Sequence, residues 1–520
     1  IQGSAGVLYG NQAVGGVINI ITRRAQAGLL DASVGLGSYG REQLNLQAGD
    51  RHANGISWRV ALDTLDTDGY RDHSARSFAS INSLLDYDYG DGHVFAEYQA
   101  VSDDLELPGA LLEAAYDQDR RQINQGFAND FSNSDVSAMR TGIRHHLSDH
   151  WRIEAELTSR DTDQDLTQSF QNLPSPSGGY SRRTAASVNP RLIGSYAVND
   201  SNMLWTLGAD IESNNYRLFI PNAFGATNQS NDQETQAWYA QLVYPLSADL
   251  SATVGARTAE VDNDLWDARA FPVGQQADDR VSVGTLGLNY QYSGNLRLYA
   301  RLDENFRFAK VNEITGAGGA ILGTQTGQSY EAGFEWRQDS AFIGFNLYQL
   351  DLKDEIYFDP TVGVFGVNVN LDETRRRGLI LDAGIDLDKN LSVSANYSYT
   401  HAKFAGGGLD GNYISGVAPH LATLRMNYSL RDHWQVTGEY QLISDKYAIG
   451  DNLNRQRKAS GYGLLNMGVK YENNNWAIKL QGNNLLDKEY AEFISDSGFG
   501  RGYQSSPERN ILATVSYQFE

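Results

Sequence analysis

The chain has 520 residues, 20% of them charged, a formal net charge of -22 and no cysteine. The acid surplus argues against a nucleic-acid partner, whose footprint would be basic. The lack of cysteine removes disulfides and thiolate metal sites from consideration. No apolar run of about 18 residues is present, so no transmembrane helix is expected, yet a wall of strands that shows lipid only every second residue remains open. The 52 glycines, 29 tyrosines and 8 tryptophans suit hairpins and interfacial aromatic girdles.

In chain order, the opening IQGSAGVLYG lacks the basic start and apolar core of a signal peptide, so the start reads as an internal cut. Residues Leu8 to Arg23, LYGNQAVGGVINIITR, read as a Gly-rich turn followed by a buried strand from Val17 to Ile21. Gly35 to Gly40 match GxGxxG. A dinucleotide site needs a helix next, but Gln43, Asn45 and Gln47 alternate with Leu44, Leu46 and Ala48, which predicts a hairpin. Asp66, Asp68 and Asp72 offer hard oxygen ligands for calcium without the full EF-hand spacing, and a structural role is the plainer reading. Leu105 to Asp119 is expected to contain a loop helix. His145, His146 and His150 crowd one short turn and are read as solvated turn residues.

From about residue 30 onward the dominant pattern is alternation of period two. Trp151, Ile153, Ala155 and Leu157 oppose Arg152, Glu154, Glu156 and Thr158; Leu391, Val393, Ala395, Tyr397 and Tyr399 oppose Ser392, Ser394, Asn396, Ser398 and Thr400. In a strand these sets point to opposite faces. Connections alternate between short turns, such as 148–150, 247–249, 293–295, 388–390, 431–433 and 472–475, and long polar stretches, at 102–134, 160–186, 212–235, 303–328, 352–374 and 486–509. That asymmetry belongs to outer-membrane barrels. The count comes to about 22 antiparallel strands, the size associated with a plugged lumen. Trp151, Trp434 and Trp476 each follow a short turn, where an aromatic girdle would sit.

These segments resemble the TonB-dependent outer-membrane receptor family along essentially the whole chain. Leu8 to Arg23 resembles the end of that family's plug domain. LDENFRFAKVNEI (Leu302 to Ile314), SYEAGFEWR (Ser329 to Arg337), FNLYQLDLKDEI (Phe345 to Ile356), DETRRRGLILDAGID (Asp372 to Asp386) and GNNLLDKEYAEF (Gly482 to Phe493) follow in family order. Two departures stand out: Leu381 replaces a usual acidic residue, and Glu520 follows Phe519 where members usually end on the aromatic. The resemblance implies a plug remnant over residues 1–25 and a transmembrane β-barrel over 26–520, located in the bacterial outer membrane. It also implies a monomer with no cofactor and no catalysis, embedded in lipid and lipopolysaccharide. Uptake would be driven by the TonB complex through an N-terminal segment not seen here; without it and most of the plug, this chain is expected to leak small solutes rather than perform energised uptake.

The implied cargo is an iron complex, a siderophore or ferric citrate. Leu107 to Gln122 resembles a loop of several iron-complex receptors. Such ligands are often anionic, and guanidinium forks grip carboxylates bidentately. The loop candidates are therefore Arg120 and Arg121; Tyr180, Arg182 and Arg183; Tyr216, Arg217 and Phe219; and Arg501 with Tyr503. For each, the competing role is a pair with a nearby loop carboxylate or with lipopolysaccharide phosphate. Alternatives of other kinds are a cobalamin or cofactor-sized ligand, a passive porin, or an outer-membrane enzyme; no GxSxG elbow or HExxH helix is present.

Overall fold

A computed structural model describes residues 4–519, apart from 12, 21–26, 168, 170–174, 176, 223–224, 316, 360–361, 363–365 and 498–499. One antiparallel sheet dominates. Its first strand, Leu29–Gly37, pairs with its last, Asn510–Gln518, in a register running from Asp31 opposite Gln518 to Gly37 opposite Leu512. The sheet thereby closes on itself, and closure leaves no edge to be satisfied in lipid.

The sheet comprises 23 segments, two of which are halves of one strand. Gly179–Val188 and Arg191–Val198 both pair with Trp151–Thr167 on one side and with Ser201–Asn222 on the other. Pro190 separates them because proline has no N–H for the ladder. The gap is stitched by Ala209 N donating to Pro190 O at 3.0 Å and by Asn189 Nδ2 donating to Asp210 Oδ1 at 2.9 Å. The barrel therefore has 22 strands, as the alternation predicts.

The lipid face is legible in exposure. Leu157, Leu286, Leu424 and Leu480 sit in mid-strand yet are each more than half exposed, which suits a hydrocarbon surround. The girdle tryptophans pack on aromatics of adjoining strands: Trp434 tilted against Tyr471 at 4.9 Å and Trp476 tilted against Tyr517 at 4.6 Å, with Trp151 edge-on to Tyr196 at 6.0 Å. The predicted short turns all form. At the GxGxxG stretch, Tyr39 (φ 61) and Gly40 (φ 63) supply two consecutive left-handed residues, which a tight hairpin turn requires; the strand Arg41–Arg51 follows.

Several long polar stretches depart from the loop expectation. Residues 212–235 are mostly the upper halves of two strands, Ser201–Asn222 and Gly225–Pro245, which pair without interruption from Leu204–Val243 to Asn222–Gly225. Leu250–Asp267 and Phe271–Ser293 continue this tall wall. Residues 352–374 are likewise largely strand. The loop helix predicted within 105–119 is α2, Glu113–Gln118.

Candidate ligand pathway through lumen and mouth

Strand parity decides what each side chain can reach. On Ser201–Asn222 the even positions Gly208, Asp210, Asn214 and Tyr216 face inward, because Gly208 lies opposite Tyr239 and Tyr239 opposite Arg257. Arg257 in turn touches the N-terminal segment inside the barrel.

That segment contains a short helix, α1 (Gly6–Tyr9). Val7 packs in a buried cluster with Ala237, Tyr239, Ala259, Val261, Val283, Phe306 and Phe308 of the wall. Polar contacts frame it. Arg301 Nη2 donates to Ser4 O at 3.2 Å, Asn305 Nδ2 to Ser4 Oγ at 2.9 Å, and Phe308 N to Asn11 Oδ1 at 2.9 Å. Arg257 is fixed by Asp210 at 2.6 Å and lies 5.2 Å over the Tyr239 ring. Buried, paired charge of this kind holds geometry more than it adds stability. Of the strand expected from Val17 to Ile21, Val17 to Ile20 form none, and Ile21 lies outside the described residues.

The motif at 302–314 turns inward above α1. Phe306 and Phe308 are buried. Arg307 Nη1 holds both Glu313 oxygens at 2.9 and 2.7 Å, while Glu313 Oε2 also accepts from Lys310 N at 2.8 Å, capping α3 (Val311–Thr315). Gln233 Nε2 donates to Ala309 O at 3.0 Å and Asn368 Nδ2 to Glu313 O at 2.9 Å. Residues 308–315 are thus strapped against the inner side of the tall wall.

The ten ligand candidates separate. Arg183 and Tyr216 are cross-strand partners on the inner face. Arg183 Nε and Nη2 donate to Asn214 Oδ1 at 3.2 and 2.7 Å, and among the described residues it meets no carboxylate. Tyr180, Arg182, Arg217 and Phe219 have the opposite parity and lie on the outer wall. There Arg182 is held by Asp163 at 3.0 Å and Asp165 at 2.8 Å and lies 5.3 Å over Tyr180, which packs 5.8 Å from Phe219. Arg217 is exposed on that outer side.

Arg120, Arg501 and Tyr503 meet in a folded extracellular cap. Ala491–Ser497, Gly500–Ser505 and Leu111–Leu112 form a separate three-stranded sheet. Its core contains Leu111, Tyr116, Ala448, Ala459, Ala491, Ile494 and Tyr503. Tyr116 stacks on Tyr503 at 4.6 Å, and Arg120 lies 4.9 Å over Tyr116 while pairing with Glu489 at 2.7 Å. Burial pushes the Tyr116 phenol above its ordinary range. Arg501 grips Asp496 through Nε at 3.0 Å and Nη2 at 2.9 Å, and hydrogen bonding to Asp496 raises its already high pKa. Arg121 anchors another joint: Nε donates to Tyr70 O at 3.0 Å, and its guanidinium lies over the Tyr39 and Tyr70 rings at 5.7 and 5.4 Å. Burial first, then Glu508, pushes the Tyr70 phenol up.

The calcium candidates do not converge. Asp66 Oδ1 accepts from Ser77 Oγ at 2.7 Å, Asp68 N donates to Tyr39 O at 2.9 Å, and Asp72 N donates to Arg121 O at 2.8 Å. Among the described residues no group of three or more His, Cys, Asp or Glu is placed to hold a metal ion. His150 is an exposed turn residue stacked on Tyr196 at 4.7 Å, whereas His145 and His146 end the strand Phe131–His146 and half-buried His145 bonds Tyr89 at 3.1 Å, so the turn reading holds for His150 alone.

The inner wall carries cations outside the loop candidates. A cavity of about 760 Å³ is lined by Arg59, Asp63, Glu97, Arg140, Arg160 and Glu212 among others. Arg140 bridges Glu97 at 2.6 Å and Glu156 at 3.5 Å. Lower down, Glu154 is gripped by Arg144 at 2.7 Å, Arg152 at 2.9 Å and Arg191. The signal was present in the polar face of Trp151–Thr167, where Arg152, Glu154, Glu156 and Arg160 recur at even positions.

A closed barrel with apolar skin, polar lumen, short turns at one end and folded loops at the other defines an outer-membrane β-barrel protein. Residues 87–485 match the family described as TonB dependent receptor-like, beta-barrel. The chain belongs to the TonB-dependent receptors, which reside in the bacterial outer membrane. It is 27% identical to a ferric-pyoverdine receptor of a Pseudomonas species over 53% of this chain and 35% of that protein. It is 24% identical to the vitamin B12 transporter BtuB of Photobacterium profundum over 100% of this chain and 79% of that protein. The match thus spans about a third of the pyoverdine receptor's own length. Among solved structures, the ferric citrate transporter FecA in the unliganded form superposes with a TM-score of 0.88 at 18% identity, covering 100% of this chain and 83% of that one. The siderophore receptor PiuA of Acinetobacter baumannii gives 0.87 at 15% identity, with 100% and 85% covered.

Proposed function

We propose that this barrel takes up an anionic iron complex of siderophore or ferric citrate type, driven by the TonB complex. The observation that carries the reading is Arg183, an inward-facing guanidinium near the mouth that donates to Asn214 and meets no carboxylate among the described residues. With Arg160 and Arg140 below it on the same inner wall, it offers carboxylate or hydroxamate oxygens a charged descent into the lumen. Tyr216 beside it supplies an aromatic wall. Arg120, Arg121, Arg501 and Tyr503 serve this reading by fixing the cap that frames the mouth.

In the same reading, residues 1–25 are the end of a plug domain and 26–520 the barrel. The docking of Ser4, Val7 and Asn11 on the lumen wall supports that division. The protein acts as a monomer in lipid, without nucleic acid, cofactor or catalysis, and meets TonB through a segment N-terminal to this chain.

Expression of this barrel together with a plug and TonB-binding segment at its N-terminus, in a receptor-deleted, iron-starved strain, tests the cargo. Growth rescue by one or a few ferric complexes is the expected result. A second reading, a cobalamin-sized ligand, draws on the full-length alignment with a vitamin B12 transporter; rescue of a cobalamin auxotroph with no response to any iron complex would replace the first reading with the second.

A further inference from the structure

The outer wall just above the lipid band is not uniform in charge. Parts of it are acidic. Asp135 lies directly opposite Asp163; Glu234 opposes Asp262, which opposes Asp278; Asp232 opposes Asp264. All have outward parity, and like charges directly opposed on adjacent strands repel each other. A phosphate would be turned away from the row of Glu234, Asp262 and Asp278.

One sector differs. Across strands Ala341–Asp359, Val367–Asp386 and Leu391–Phe404, the outward row Leu347, Leu379, Tyr399 is followed by Gln349, Arg377, His401 and then by Asp351, Arg375, Lys403. Loop residues extend this face. Lys403 Nζ lies 4.7 Å from the centre of the Tyr413 ring, Tyr413 stacks on Tyr447 at 6.2 Å, and Lys458 Nζ lies 5.3 Å over Tyr447. Asp351 holds Arg375, and Asp445 holds Lys458 at 2.9 Å. Arg377 donates to Gln349 Oε1 at 2.8 Å. Among the described residues neither Arg377 nor Lys403 meets a carboxylate. Immediately below, Tyr397 and His420 are joined at 2.8 Å, with Tyr399 5.1 Å from the His420 ring, an aromatic collar of the kind found at headgroup level.

We propose that this sector binds the phosphate groups of a phosphorylated outer-leaflet lipid. Arg377 and Lys403 supply charge-assisted hydrogen bonds, Arg375 and Lys458 flank them, and Tyr399 and Tyr413 border the headgroup. Contact with a lipid rather than free phosphate follows from continuity: the basic rows begin one step above Leu347 and Leu379, so acyl chains and phosphate meet adjoining rows of the same three strands. In a protein of net charge -22, this sector supplies the positive charge that gathers such a lipid.

The test uses the purified chain in neutral detergent. Binding of bisphosphorylated lipid A, phosphatase-treated lipid A and sodium phosphate is measured for the wild type, for Arg377→Gln/Lys403→Gln, and for Glu234→Gln/Asp262→Asn on an acidic sector. Wild type should bind bisphosphorylated lipid A and prefer it to the treated form. The basic-sector double variant should bind about thirtyfold more weakly, the product expected for two basic side chains at an anionic lipid surface, and the acidic-sector variant should bind at least as well as wild type. Heat-shifted mobility on electrophoresis checks that each variant is a closed barrel; if the double variant fails this check, the two lipid A forms on wild type still decide. Equal binding of both forms, an unchanged affinity in the folded double variant, or competition by sodium phosphate alone at equal concentration would overturn the proposal.

Discussion

The Arg257 guanidinium occupies the place that a side chain at Gly10 would need. A Cβ built on Gly10 would stand 2.6 Å from Arg257 Nη2, and Gly10 has φ +65. The N-terminal segment therefore enters the barrel wall only with glycine at its closest approach. Gly10→Ala carries both the cost of holding alanine at φ 65 and ψ -140, roughly 1–3 kcal/mol, and the displacement of Arg257 from Asp210. The expected outcome is faster proteolysis of residues 4–20 in a folded barrel; an unchanged cleavage rate would mean the segment is not held by this contact.

Parity separates two adjacent arginines. Arg183 faces the lumen, whereas Arg182 faces outward onto Asp163 and Asp165. If the transported ligand is an anionic iron complex, Arg183→Ala should weaken its equilibrium binding at least about tenfold, the loss of one or more charge-assisted hydrogen bonds. Arg182→Ala should leave it within about twofold, a shift of less than about 0.5 kcal/mol. Binding titrations on the two variants check this, and equal effects would remove Arg183 from the site.

The strap over residues 308–315 depends on Glu313, which serves Arg307 and Lys310 N together. Glu313→Ala leaves a half-buried guanidinium without its carboxylate and uncaps α3. A local cost of roughly 2–3 kcal/mol is expected. It should appear as faster hydrogen exchange confined to 308–315, while the distant strands keep wild-type protection.

The extracellular cap has its own core, so it should loosen as a unit. Tyr503 stacks on Tyr116 and is buried; Tyr503→Ala removes a ring worth about 3–5 kcal/mol by analogy with other buried aromatics. Exchange should rise together at 111–118 and 491–505, with the barrel register unaltered.

Much of this architecture was readable from residue order because lipid enforces it. Leu391 to Thr400 alternates since one face meets hydrocarbon and the other water, and Ser148 to His150 or Asp388 to Asn390 can only turn. Legibility ends where lipid ends. Above the membrane, Asp232, Glu234 and Gln236 point out while Asn231 and Gln233 point in; both faces are polar, so 212–235 carries no hydrophobic alternation and reads as loop. The break at Pro190 was hidden because its flanks pair with the same neighbours. Candidate ligand residues suffered most. Arg182 and Arg183 look equivalent in sequence, and only the ladder shows that one of them faces the lumen. Arg501 meets Asp496 across one local hairpin, but Tyr503 finds Tyr116 through tertiary packing that no spacing rule encodes.

The most direct measurement exploits the absence of cysteine. Single cysteines placed in turn at Leu421 to Tyr428 in the purified, lipid-reconstituted chain carry a spin label, and collision with oxygen and with a water-soluble nickel chelate is measured at each. Oxygen contact should peak at Ala422, Leu424, Met426 and Tyr428, with chelate contact peaking at Thr423, Arg425 and Asn427. Equal chelate access at both sets would mean that neither face lies against hydrocarbon, and the closed membrane cylinder would be wrong.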